Sequence, residues 1–334
     1  MAEHIGDWMK KLLIVVAAVI VAGLVWYGLT PKERVLTIST TTSLYDTGLL
    51  EDAIAPAFKE KTGITLRFIP KGTGAAIQDA KHGLADAIMV HARSKEVEFL
   101  KEGYGVNRKV FAYNFFVIVG PSDDPAGIRG LNPIDAMKKI AEAGREGKAI
   151  WVSRDDGSGT NVKEIWLWES AGFNYKSLRN ESWFRATGTG MGKTLLYTSN
   201  TKAYTLSDIG TYLKYRKDGL INLEALVNRG EELINVYSII IVNPEKFSKD
   251  YSGAVMLAKW LTSQEGQKII GQYGKKEYGT PLFYPAVDVL KKGSGTAFEW
   301  IVKYGFIKDD GYMTECPKDY RYKSDLSFFE VPWS

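Results

Sequence analysis

The chain holds one cysteine, Cys316, and three histidines among 334 residues. A single cysteine excludes an intramolecular disulfide and any cysteine-built zinc or iron–sulfur centre. His4, His82 and His91 lie far apart without metal-ligand spacing, and His91, following the apolar run Ala87–Val90, reads as a packed strand end. No resident metal ion or other cofactor is expected. Charge of one sign is also scarce: 43 basic against 39 acidic residues leave a formal +4, spread along the chain without a Lys/Arg block to track a phosphate backbone. Nucleic acid is therefore not an expected partner. Core material is plentiful, with 45% hydrophobic and 12% aromatic residues in a chain long enough for two lobes.

One uncharged hydrophobic run is long. Leu12 to Leu29 covers eighteen residues, with Lys10 and Lys11 before it and Lys32 and Arg34 after it. That is close to the ~20 apolar residues that span a bilayer. Trp26 and Tyr27 suit the interfacial aromatic belt, and no Ala-x-Ala cleavage pattern is evident. The run is apolar on every side, unlike a helix buried on one face of a globular protein. The expectation is one N-terminal transmembrane helix within residues 1–34, kept as an anchor, with removal as a signal peptide the alternative. No cysteine follows it, which excludes a diacylglycerol anchor.

From Val35 onward, strand and helix patterns alternate. Val35, Leu36 and Ile38 read as a short buried strand, after which the hydroxyl run Ser39, Thr40, Thr41, Thr42, Ser43 arrives where the chain must turn, and Gly48 opens a helical pattern. Hydroxyls and free N–H groups thus gather between a strand end and a helix start, a setting suited to an anion. Thr73 in Gly72-Thr-Gly74 occupies the same kind of turn. The alternation implies an α/β fold with a mostly parallel sheet and ligands at the strand C-termini. Two β-branched runs, Phe111 to Val119 and Val236 to Val242, read as strands crossing between two lobes. The expected organisation is lobe I from 35–117 and 240–285, lobe II from 118–239, and a C-terminal extension, 286–334, packed on a lobe. One long helix is expected over residues 253–274.

Ser153-Arg-Asp-Asp-Gly-Ser-Gly-Thr160 follows an apolar strand and precedes a helical pattern. Arg154 offers a permanently charged fork suited to oxyanions, and Ser158, Gly159 and Thr160 place donors at a helix start. The competing reading is a surface turn in which Arg154 pairs with Asp155 or Asp156 and Thr160 merely caps. Thr187-Gly-Thr-Gly-Met-Gly-Lys-Thr194 looks like a phosphate loop, but a Walker A needs glycine where Thr187 stands, and no strand ending in Asp follows to hold magnesium. Its glycines still let the N–H groups of Gly190 and Met191 approach a small anion.

With these stretches in hand, the chain resembles the tungstate-binding components of ABC-type tungstate uptake systems over roughly residues 36–285. The resemblance is carried by Thr40-Thr-Thr-Ser43 with Tyr45-Asp-Thr-Gly-Leu-Leu50, Gly72-Thr-Gly74, Val90-His-Ala-Arg93, and Tyr113-Asn114 with Val117-Ile-Val-Gly-Pro121. Ser153-Arg154 with Ser158-Gly-Thr160, Gly190-Met-Gly192, and Ala203-Tyr-Thr-Leu-Ser-Asp208 complete it. It implies a two-lobed, type II periplasmic-binding-protein-like fold that delivers an oxyanion to an ABC permease and its ATPase. It also implies a binding protein rather than an enzyme; the anchor lies outside the resemblance, and with it the binding domain is expected tethered to the membrane outside the cytoplasm, as a monomer. The implied anion contacts are Thr41, Thr42, Ser43, Arg154 and Thr160, with Gly190 and Met191, while Thr73 and Ser158 join them from the turn reading above. The family pattern has glycine directly after the arginine; here Asp155 stands there and glycine comes at Gly157.

Tungstate at neutral pH carries no proton and only accepts hydrogen bonds, so a site of hydroxyls, N–H groups and one Arg suits it, and molybdate equally. Monohydrogen phosphate needs an acceptor as well, which Asp155 or Asp156 can supply, so a phosphate-binding protein is the second candidate. A phosphoryl-transfer enzyme using Lys193 and Arg154 is third, lacking a general base beside the hydroxyls and a magnesium-binding carboxylate pair.

Overall fold

Ten strands set the frame: β1 (Val35–Thr41), β2 (Thr65–Lys71), β3 (Ala87–Val90), β4 (Gly105–Gly120), β5 (Trp151–Ser153), β6 (Phe184–Ala186), β7 (Thr205–Asp208), β8 (Glu224–Val227), β9 (Ile234–Val242) and β10 (Tyr284–Pro285). They belong to a computed structural model that describes residues 12–16 and 33–333. The chain divides into Met1–Val35 and Leu36–Ser334. In the first unit, residues 12–16 are helical and exposed, and residues 17–29 of the expected transmembrane span lie outside the described residues. No described helix is long and apolar enough to cross a membrane.

In the second unit, β4 is the organising strand. Its first part pairs antiparallel with β9 from Gly105↔Val242 to Phe115↔Ile234, and its last residues, Phe116 onward, pair with β7 and β8. One strand therefore runs through both lobes, and β9 begins where the second lobe ends. β3 and β9 are buried along their whole length, which is why they read as unbroken apolar runs rather than alternating ones. The main sheet, β10-β4-β9-β3-β1-β2, pairs β1 parallel to β3 and β3 antiparallel to β9. The sheets are thus mixed, where the alternation suggested mostly parallel ones: the crossing strands run in opposite directions, and βαβ patterning says nothing about them.

Each lobe has its own core. Leu36, Ile38, Phe58, Met89, Tyr237 and Leu257 pack in one, and Phe116, Ile140, Trp151, Leu167 and Trp168 in the other. Each such side chain fully buried contributes roughly 1.5–3 kcal/mol against the entropy of ordering it. The helix expected over 253–274 is two, Tyr251–Leu261 and Gln264–Gln272, because Ser263 turns its hydroxyl onto the N–H of Gly266 at 3.3 Å and starts a new helix. Gly48, at φ +85°, opens the π-helix Leu49–Ile54, which runs into the helix Ala55–Thr62 with Pro56 in its first turn, where no N–H is needed.

Residues beyond Pro285 form the helices Ala286–Lys292 and Thr296–Gly305 and a small antiparallel sheet of β11 (Ile307–Asp309), β12 (Tyr312–Thr314) and β13 (Glu330–Pro332). One buried ion pair and two arginine-to-carbonyl hydrogen bonds fasten this part to the start of β4. Lys109 pairs with Glu315, while Arg108 pairs with Glu96 at 2.7 Å and donates to the carbonyls of Gly305 and Glu315. Charges this deep persist only when paired and hydrogen-bonded.

Candidate functional site

β1 ends in Thr41, whose hydroxyl accepts from the N–H of Leu44 (3.3 Å) and from Ser43 Oγ (3.3 Å). Thr41 and Ser43 are buried, and Thr42 is half-buried. Thr40, one residue earlier, spends its proton on the carbonyl of Met89 (2.9 Å) and so belongs to the sheet. The turn after β2 holds Thr73 fully buried, and its Oγ1 finds no partner among the described residues. A buried hydroxyl without a partner is costly, so Thr73 holds hydrogen-bonding capacity that the described residues do not use.

The second half comes from the loop after β5. Arg154 is 2% exposed. Its Nε and Nη2 donate to Asp156 Oδ2 (3.1 and 2.6 Å), Nη1 donates to Thr160 Oγ1 (3.3 Å), and Nη2 reaches Thr42 Oγ1 (3.5 Å). The Arg154–Asp156 pairing of the turn reading is therefore present, and it coexists with the clamp instead of replacing it: two prongs are held by the carboxylate, and the head still meets hydroxyls from both lobes. Asp155, at φ +44°, is turned away to Arg179 (2.5 Å). Ser158, not Thr160, caps the helix Gly159–Ser170 by accepting from Asn161 N (3.2 Å), which leaves the buried Thr160 hydroxyl to Arg154. The turn at Gly72 packs directly on this loop, within van der Waals distance of Asp156 and Ser158, and Lys95 Nζ donates to the Gly157 carbonyl (2.5 Å).

Gly190 caps the helix Met191–Asn200 and lines, with Thr42, Asp46, Lys193 and Tyr215, an open cavity of about 450 Å³. Its backbone is thus near the Thr42 side of the cluster, whereas the Met191 side chain is buried with Val117, Leu195 and Tyr212 and can offer only its N–H. The structure brings together Thr41, Thr42, Ser43, Arg154 and Thr160. Ser158 is committed to its cap, and Gly190 and Met191 border the cluster.

His91, taken from sequence as a packed strand end, faces the cluster: its Nε2 lies 3.2 Å from Ser43 Oγ. A Cβ on Gly159 would meet the His91 ring at 2.5 Å, so this close approach of the two lobes requires glycine there. Burial pushes the His91 pKa down to about 3, leaving the ring neutral at pH 7. Asp208, on β7, is the other residue missed: burial raises its carboxyl to about 6 against the pull of Thr211 and Arg154. Burial likewise raises Asp46, opposed by Lys214 and Arg154. The motifs around His91 and Asp208 were visible in sequence; the approach of His91 to Ser43 and the pull of Arg154 on Asp208 were not. No group of three or more His, Cys, Asp or Glu among the described residues is placed to hold a metal ion.

Residues 30–265 match a family model described as a PBP superfamily domain. A relative from Haloferax volcanii, 48% identical over 75% of this chain and 71% of its own, bears a name that refers to anion binding in an ABC transporter. The tungstate-binding protein TupA of Peptoclostridium acidaminophilum is 37% identical over 83% of this chain and 99% of its own. Among solved structures, tungstate-binding TupA from Desulfovibrio alaskensis G20 superposes with a TM-score of 0.64 at 40% identity, covering 75% of this chain and 98% of that one.

Proposed function

We propose that this chain, which belongs to the PBP superfamily and within it to the family of tungstate-binding TupA proteins, captures a tetrahedral oxyanion outside the cytoplasm and hands it to the permease of an ABC transporter. It is a binding protein and not an enzyme. The ligand is tungstate, with molybdate equal in charge and shape. The contacts are the hydroxyls of Thr41, Thr42, Ser43, Thr73 and Thr160, the Arg154 fork, and N–H groups at Gly190 and Met191; Ser158 drops out, its N–H taken by Asp156 (3.0 Å) and its hydroxyl by the cap. The single observation that carries this reading is the meeting of Arg154 Nη2 with Thr42 Oγ1 at 3.5 Å across 112 residues, with Thr160 on the same guanidinium. One fixed charge is thereby ringed by neutral donors from both lobes, which suits an anion that only accepts.

The two lobes are drawn as 35–117 with 240–285 and as 118–239. The binding unit acts as a monomer without a cofactor, and residues 1–34 tether it to the membrane. Asp156, beside the fork, is the one observation favouring the rival ligand, since its carboxylate can accept the proton of monohydrogen phosphate. A thermal-shift panel of oxyanions decides. A ligand at a hundredfold its Kd stabilises by about 2.7 kcal/mol. Tungstate should give a clear upward shift, molybdate a comparable or smaller one, and sulfate and phosphate little. A shift with phosphate alone would transfer the assignment to the phosphate reading.

A further inference from the structure

Behind the clamp, on the far side of His91 and Gly159, lies a second cavity of about 320 Å³, lined among others by Arg93, Lys163, Trp166, Asn235 and Tyr304. Two cations face it without a carboxylate partner. Arg93 Nη1 donates to the carbonyls of Lys303 (2.6 Å) and Phe306 (3.2 Å), and Lys163 Nζ donates to the carbonyl of Glu232 (2.8 Å); neither makes an ion pair among the described residues. Lys163 sits between the rings of Trp166 and Tyr304, 5.0 and 5.1 Å from their centres, which hold it in place without neutralising it. Burial, followed by the like charge of Arg93, pulls the Lys163 pKa down to about 7, so a negative charge placed between the two would relieve both. The third cation of the wall, Arg108, is already matched by Glu96.

One acceptor at the wall is unmatched. Asn235 donates its amide N–H groups to Asn114 (3.0 Å) and Tyr237 (2.8 Å) and turns its carbonyl oxygen to the His91 ring, a hydrogen bond that opposes the fall of the His91 pKa. The exposed carboxylate of Glu169 lines the same space and makes no ion pair among the described residues. Two unmatched cations beside this carboxylate describe a guest that is negatively charged and carries a proton to donate. The primary clamp, with its bare-anion chemistry, is the opposite case.

We infer that this cavity is a second anion site, for a small oxyanion that retains a proton, of the hydrogenphosphate or hydrogencarbonate type, held between Arg93 and Lys163. Tyr304 and Gly305, which close it, lie beyond the residues that match the superfamily, so the site depends on the C-terminal part of this chain.

The test uses the full chain saturated with tungstate and titrated with inorganic phosphate, and separately with bicarbonate, by calorimetry. Either anion should bind near one equivalent without displacing tungstate, and Lys163→Met and Arg93→Met should each weaken that event at least tenfold while tungstate affinity stays within twofold. Kept tungstate binding certifies that the variants are folded; should one unfold, the wild-type titration still decides. Absence of a second event with both anions up to millimolar concentration, or release of tungstate by phosphate, overturns the assignment. Should tungstate itself fail to bind, phosphate is titrated into Arg154→Gln: undiminished binding supports the second site while the primary reading falls, and its loss assigns phosphate to the clamp.

Discussion

Arg154→Gln is the most direct perturbation of the clamp. The guanidinium makes two contacts to Asp156, one of them at 2.6 Å, and two longer ones, 3.3 and 3.5 Å, to the hydroxyls of Thr160 and Thr42. The long contacts are weak near the distance limit and are the ones a ligand oxygen can replace; the short ones orient the head. A hydrogen bond to an ionised group contributes about 1.5–3 kcal/mol, so losing the charge should raise the tungstate Kd on the order of ten- to a hundredfold. The glutamine amide ends short of the Nη atoms that reach Thr160 and Thr42, so the substitution removes the charge, the fork geometry and that reach together. Arg154→Lys should fall between, since an ammonium keeps the charge but not two parallel prongs. Asp156 is left with the N–H of Ser158 (3.0 Å) and is partly exposed, so the apo-protein should remain folded. Titration calorimetry gives the Kd, and circular dichroism checks the fold. The reasoning fails if Arg154→Gln binds tungstate like wild type while Lys193→Ala, which removes a cation from the neighbouring cavity, abolishes binding.

Thr160→Ala removes one neutral donor and should cost about 1 kcal/mol of binding, less than the Arg154 change, in the same calorimetric series. Gly159→Ala drives a methyl into the His91 ring, and overpacking of this kind costs about 1–3 kcal/mol, so both melting temperature and tungstate affinity should fall; a neutral result would mean the lobes have slack there. Glu164 is buried and accepts from Trp151 Nε1 (2.8 Å) and Ser153 Oγ (2.8 Å), and burial raises its pKa from 4.5 to about 7. Because the folded pKa is the higher one, its contribution is fully present below pH 4.5 and is lost as pH rises to about 7, on the order of 3 kcal/mol as an upper bound. Glu164→Gln should flatten this fall in urea unfolding measured from pH 5 to 8, and parallel profiles for the two proteins would show that the carboxylate is ionised at no cost.

The local chemistry of the site was written in short stretches of chain. Hydroxyls after an apolar strand, glycines where a loop enters a helix and an arginine beside them act through the backbone of their own few residues, so Thr41, Thr42, Ser43, Arg154 and Thr160 could be named from sequence. The resemblance to tungstate-binding components rested on the same stretches. The two apolar runs likewise announced β4 and β9, because burial on both faces leaves no polar positions. Their direction was hidden, since a β-branched run looks alike read from either end, and so the mixed sheet appeared only in three dimensions. Partner choice was hidden too. That Arg154 takes Asp156 while Asp155 turns to Arg179 depends on one left-handed backbone angle. That His91 meets Ser43 across 48 residues depends on β1 pairing with β3, and that Lys95 meets Gly157 across 62 depends on two lobes packing where Gly159 leaves room for the His91 ring. Such contacts leave no periodic trace in either segment, because each residue is ordinary in its own neighbourhood and becomes part of a site only through what the fold sets against it.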